Sequence, residues 1–210
     1  MKQSILIWLL WCALINTNLT FGQKKVAASK PKTTSLATTP KETKPEVKVV
    51  TEEKKEIKWM SLEQAFSAIQ KEPKKIIIDI YTSWCGWCKV MDKNTFSDPK
   101  IIAYVNENYY AVKLDAEQKE DINLGPQKYT WVKQGNSGYN QAAVALLNGK
   151  MSFPTMVYLD EKFNMIQPVP GYQDANQLHK VISFFGGNHN KTMDWAKFES
   201  EVYPKLTLKN

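Results

Sequence analysis

Lys75-Ile76-Ile77-Ile78-Asp79-Ile80-Tyr81 runs directly into Thr82-Ser83-Trp84-Cys85-Gly86-Trp87-Cys88-Lys89. The first half is a β-branched run of strand length with one acid inside it. The second half turns and enters a polar helix through Lys89, Val90 and Met91. Two cysteines three positions apart therefore stand between a strand and a helix start. Helix N-termini present unpaired N–H groups and the positive end of the peptide dipole. That field favours thiolate over thiol at the first cysteine, and the thiolate is the nucleophile. Two intervening residues place both sulfurs on the first turn, so a disulfide closes without unfolding anything. Cys85, nearer the loop, is expected to be exposed and to attack. Cys88, one turn deeper, is expected to resolve the mixed disulfide.

Regular structure spreads outward from this junction. Upstream, Ser61 with Gln64 forms a capping-box pattern. Leu62, Ala65, Phe66 and Ile69 follow at helical spacing and stop before Pro73. Downstream, Ser97-Asp98-Pro99 opens a helix with Ile101, Ile102 and Val105 on one face. Tyr109 to Asp115 is a second strand. Gln141 to Leu147 reads as a helix, Thr155 to Leu159 as a strand and Met165 to Val169 as a strand interrupted by Pro168. Asp174 to Phe185 is an amphipathic helix, and a last helix is predicted over 194–203. The order is α, β, α, β, α, β, β, α. A strand–helix–strand unit followed by a hairpin and a closing helix gives an α/β fold: a central mixed sheet with helices on both faces.

A lone C-x-x-C admits other chemistries. Half of a zinc site needs two further ligands. Outside Cys12, Cys85 and Cys88 there is no cysteine, and His179 and His189 are ten apart, the wrong spacing for a zinc knuckle. Covalent haem attachment wants histidine after the second cysteine, where Lys89 stands. No metal and no cofactor is expected.

Trp84-Cys85-Gly86-Trp87-Cys88-Lys89 resembles the active site of the thioredoxin superfamily, in particular its secreted bacterial thioredoxin-like thiol–disulfide oxidoreductases. Asp79, six residues before Cys85, matches the buried acid of that family. Pro154 in Ser152-Phe153-Pro154-Thr155 matches its cis-proline loop, and Lys113 matches the lysine near the buried acid. The likeness covers roughly Trp59 to Phe185. It implies the thioredoxin fold and dithiol–disulfide exchange with protein substrates, with Cys85, Cys88 and Asp79 catalytic. A buried carboxylate is costly, so its proton affinity rises, and Asp79 would accept the proton of Cys88. A cis Pro154 would leave the backbone of Phe153 free to pair with an extended substrate. Trp84, Gly86, Trp87, Phe153, Pro154 and Thr155 are then the substrate rim, with Trp84 mostly packing and Trp87 mostly surface. Trp87 stands where thioredoxins have proline, which bears on the potential. The stretch 118–140 exceeds the family's usual link: either a hairpin that reshapes the substrate face or, preferred here, a plain surface insertion. The alternative to an enzyme is a thioredoxin-fold binding module that holds a partner with its tryptophans around an idle disulfide.

Composition bounds the rest. Every one of the 28 basic residues is lysine. Residues 24–58 hold ten Lys and five Glu, whereas residues 59–210 carry a net charge of only +1. Nucleic-acid binding wants a basic stripe on the folded part, usually with arginine, so it is set aside. Met1-Lys2, an apolar run from Ile5 to Ile15 and Thr20-Phe21-Gly22 read as a signal peptide over 1–22, cleaved before Gln23. An uncleaved start would instead tether the protein to the membrane. Residues 23–57, rich in Lys, Thr and Pro, read as a disordered linker, and 58–210 as the thioredoxin-like domain. The protein is expected to be exported across an inner membrane to the periplasm. It is expected to act as a monomer, with protein thiols or disulfides and a redox-partner protein as its partners.

Overall fold

The computed structural model describes residues 56–207. The expected signal peptide lies outside the described residues, as does the expected linker apart from Glu56 and Ile57. Ile57 is buried in the core.

The central sheet has five strands in the order β1-β3-β2-β8-β9. They are β1 (Trp59–Met60), β2 (Lys75–Tyr81), β3 (Tyr109–Asp115), β8 (Thr155–Leu159) and β9 (Met165–Pro170). β1 and β2 run parallel to β3, whereas β8 lies antiparallel to both β2 and β9. This is the mixed sheet of the thioredoxin fold that the sequence implied. β1 is an edge strand too short for any periodicity to show, and it is made by its register, Trp59 opposite Ala111.

The predicted helices form where their caps stand. α1 (Leu62–Ile69) starts at Ser61, whose hydroxyl accepts from the Gln64 N–H while the Gln64 side chain accepts from the Ser61 N–H. α3 (Pro99–Asn108) is capped by Asp98 and α5 (Ala175–Gly186) by Asp174 with Gln177. Such caps satisfy N–H groups that no helix can pair internally. The predicted last helix is broken into α6 (Trp195–Lys197), one π-helical stretch over Phe198–Val202 and α7 (Tyr203–Thr207). Phe198 is fully buried at that irregularity, packed on Phe184 and Trp195. Tertiary packing of one ring thus overrides the local helical repeat.

Strand alternation divides the core in two. Ile76, Ile78, Ile80, Val112 and Leu114 face α1 and α4 (Gln141–Leu146). Ile77, Ala111, Met156 and Tyr158 face α3, α5 and Met91. Asp79 has the parity of Ile77, and Lys113 that of Ala111, so both project into the second layer.

That layer contains one orphan. The Tyr158 hydroxyl is buried with no hydrogen-bond partner among the described residues. Its ring is fixed against Phe185, with centroids 4.6 Å apart. An unpaired buried hydroxyl costs more than the ring gains from carrying it, so Tyr158→Phe is expected to stabilise the protein by about 1 kcal/mol. Urea unfolding measures this; a lower midpoint in the variant would mean that the hydroxyl is satisfied in solution.

The stretch 118–140 is not a plain surface insertion. It folds into two hairpins, β4 (Ile122–Leu124) with β5 (Gln127–Tyr129) and β6 (Trp131–Gln134) with β7 (Ser137–Asn140). Buried Ile122 and Leu124 anchor the first to the core. Asn140 anchors the second: its backbone N–H donates to Ala116, its side-chain amide donates to the Glu120 carbonyl, and its Oδ1 caps α4. A side chain at Gly138 would meet the Trp131 ring at 2.1 Å, so glycine is required there.

Candidate active site

α2 (Gly86–Asn94) follows β2 across a four-residue link, and Cys85 is its N-cap. The Cys85 Sγ accepts the N–H of Cys88 at 3.1 Å, so the sulfur occupies the place a serine or aspartate oxygen takes in an ordinary cap. Cys85 N–H in turn donates to the Thr82 carbonyl at 3.2 Å. The two sulfurs are bonded, 2.05 Å apart. Cys85 is 5% exposed and Cys88 3%. The expectation that Cys85 would be exposed is corrected: turning its sulfur inward to cap α2 hides it within the first turn.

Trp84 and Trp87 stand out on either side, each 62% exposed. Trp84 is therefore not mainly a packing residue. Its indole meets the edge of Phe153 at 5.8 Å, and its N–H donates to Glu117 at 3.1 Å. Trp87 lies against Tyr172, 5.3 Å between centroids. Gly86 is exposed, and a Cβ there would meet nothing, so the front of the helix start is open. Phe153–Pro154 is a cis peptide immediately before β8. Thr155 is buried, and its hydroxyl donates to the Ser152 carbonyl at 2.8 Å. It braces the Phe153–Pro154 loop from inside.

Asp79 lies beneath this surface, 1% exposed. Its Oδ2 is 3.3 Å from Lys113 Nζ, and its Oδ1 has no hydrogen-bond partner among the described residues. Burial pushes its carboxyl up to about 6, against the pull of Lys113 and with a further push from Asp92. Lys113 is the cross-strand partner of Asp79, pairs directly with Asp92 on α2, and sits among three rings: Trp59 at 5.2 Å, Tyr81 at 5.3 Å and Phe96 at 5.3 Å. The arrangement holds a bonded cysteine pair at a helix start and a protonatable buried carboxyl on the strand that leads into it.

Sequence reading missed four contributors. Asp92 follows Cys88 by four and therefore shares its helix face, a signal available in the sequence. Glu117, Ser137 and Tyr139 carry no local signal. Glu117 accepts from Trp84 and, at 3.3 Å, from the Ser137 hydroxyl; Tyr139 lies 6.2 Å from Phe153. The β6–β7 hairpin therefore reaches the rim. Among the described residues no group of three or more His, Cys, Asp or Glu could hold a metal ion. Nor is any helix there long and apolar enough to cross a membrane.

Comparison with known proteins places this geometry. A family model described as "Thioredox_DsbH: Protein of unknown function, DUF255" matches residues 41–197, about three quarters of the chain. The thiol:disulfide interchange protein DsbD of Campylobacter jejuni is 35% identical over 68 residues, 32% of this chain and 12% of that protein. An uncharacterized protein of Caenorhabditis elegans is 27% identical over 77 residues, 37% of this chain and 11% of its own. The chain thus spans about a tenth of the length of these curated relatives. Among solved structures, a DsbH oxidoreductase is similar at 20% identity and a TM-score of 0.44, covering 61% of this chain and 83% of that one. A thioredoxin-fold protein from Helicobacter pylori is similar at 17% identity and a TM-score of 0.48, covering 70% and 97%. The chain belongs to the thioredoxin-like family of that model, Thioredox_DsbH, and carries Cys85 and Cys88 at bonding distance.

Proposed function

We propose that the protein exchanges disulfides with protein thiols outside the cytoplasm, in the reducing direction. The observation that carries the exchange itself, in either direction, is the Cys85–Cys88 bond across the first turn of α2, with Cys85 as the cap. In the reduced protein the Cys85 thiolate attacks a substrate disulfide. One S–S bond forms, another breaks, and a substrate thiolate leaves. Cys88 gives its proton to the Asp79 carboxylate and attacks Cys85. That step closes the internal disulfide and expels the second substrate thiolate. The two electrons removed from the protein now reside in the reduced substrate.

Asp79 suits the proton step because burial brings its proton affinity toward neutral pH, where a carboxyl both accepts and releases a proton readily. Trp84, Trp87 and Phe153 offer apolar area around the sulfurs, and the backbone before cis-Pro154 offers an edge to an extended partner. A secreted, periplasmic location follows from the N-terminal reading, and a redox-partner protein must return electrons to the oxidised pair. Residues 58–210 are the working domain in this reading.

Insulin reduction with dithiothreitol as electron source tests the proposal. Cys85→Ser is expected to reduce turnover to the uncatalysed background. Equal turnover by variant and wild type would leave only the binding-module reading, for which the exposed tryptophans would be the sole active feature.

A further inference from the structure

Asp92 takes no part in the exchange as described, yet it grips the lysine that Asp79 depends on. The cluster has a defined gradient of exposure. The Asp79 side chain is 2% exposed, Lys113 23% and Asp92 44%. The Lys113 ammonium is thus suspended between a buried carboxyl and a solvent-side one. It pairs with both. Its 3.3 Å approach to Asp79 is longer than the roughly 2.8 Å of a good charge-assisted bond. The faces of the Trp59, Tyr81 and Phe96 rings attract the cation without accepting a hydrogen bond, and its two carboxylate partners compete for it.

The competition has a chemical consequence. A buried carboxylate that owned the lysine outright would stay ionised and be a weak base. A buried carboxyl with no cation would hold its proton and not accept another. Sharing the cation leaves it between these states.

We propose that Asp92 is a positioning residue for the exchange: by holding Lys113 toward solvent it decides when Asp79 carries a proton. The inference rests on the reading of Asp79 as the proton acceptor for Cys88. The position on α2 fits, since Asp92 lies one helical turn beyond Cys88 on the same face. Among the described residues, the other titratable groups that act on the cluster are Tyr81 on β2 and Asp115 on β3. Tyr81 is raised above its ordinary range, chiefly by burial and then by Asp115, so it stays neutral where Asp79 titrates.

The test is a carboxyl NMR titration of Asp79 in the full chain, beside the pH dependence of mixed-disulfide resolution in single turnover. In Asp92→Asn, Lys113 is released to Asp79, and both midpoints are expected to fall from about 6 toward about 5. In Lys113→Met both are expected to rise. Adding Asp92→Asn to Lys113→Met is expected to move them much less than it does alone. An unchanged Asp79 midpoint in Asp92→Asn overturns the proposal, because an ordinary surface ion pair would leave Asp79 untouched. An equal shift with and without Lys113 also overturns it, because the effect would then not pass through the shared cation. If the Asp79 midpoint moves and resolution does not follow, the coupling through Lys113 stands. What falls then is the assignment of Asp79 as proton acceptor.

Discussion

A Cys88→Ser protein is expected to stall as a covalent complex with its substrate. Cys85 keeps its place at the cap of α2 and can still attack, but the thiol one turn deeper is gone. In the wild type that thiol is held against the bond it must break, which gives it an effective concentration far above any added thiol. Without it, release waits for an external reductant, and turnover of insulin is expected to fall by about 1000-fold or more. The stalled species should run on a non-reducing gel at the summed mass of enzyme and substrate and vanish with excess dithiothreitol. Cys85→Ser should form no such adduct. If instead the adduct formed through Cys88 in the Cys85→Ser protein, the order of attack and resolution would be reversed.

Replacing the buried acid should stabilise the protein, and by an amount that depends on pH. The folded Asp79 holds its proton up to about pH 6, whereas an ordinary aspartate gives it up near 3.8. Between these values the folded chain binds more protons than the unfolded one, so this group's contribution to stability falls as pH rises through the window. At about 1.4 kcal/mol per pH unit the full gap amounts to roughly 3 kcal/mol. Asp79→Asn keeps the shape and cannot ionise, and Lys113 retains Asp92 as its partner. The variant is therefore expected to be more stable than the wild type by about 2 to 3 kcal/mol at pH 8 and nearly equal to it at pH 4. Urea unfolding at the two pH values measures the difference. A destabilised variant at pH 8 would show that Asp79 is held ionised by its ion pair, and its suitability as a proton acceptor would be lost. The same variant should resolve mixed disulfides slowly, and without the rise through about pH 6 that the proposed role of Asp79 predicts for the wild type.

Much of this site was legible because its parts are local. The Ile76–Ile80 run declares a strand, Cys85-Gly86-Trp87-Cys88 declares a helix start, and Asp79 is conspicuous as an acid in an apolar run. Lys113 follows once β2 and β3 are in register, because the two residues then face each other. The parts that were hidden depend on long-range packing. Cys85 was expected at the surface, since nothing in the local sequence says that its sulfur will turn inward to accept from Cys88. Trp84 was read as packing because it is large and apolar; its exposure is set by Glu117 and the β6–β7 hairpin, which lie 33 or more residues away. A hairpin there was the less favoured reading because Trp131-Val132-Lys133-Gln134 alternates weakly and its Gly138 matters only once Trp131 lies over it. Thr155 was assigned to the rim by its neighbour Pro154; its burial places it behind the loop.

The proposed exchange depends on Cys85 being the attacking thiol and Cys88 the resolving one. The most direct measurement is competitive alkylation. The reduced protein is treated at pH 7 with substoichiometric iodoacetamide, and the label is located by peptide mass spectrometry. The expected result is label on Cys85 in at least about tenfold excess over Cys88, as a thiolate at a helix cap requires. Equal labelling of the two cysteines, or preference for Cys88, would contradict the account.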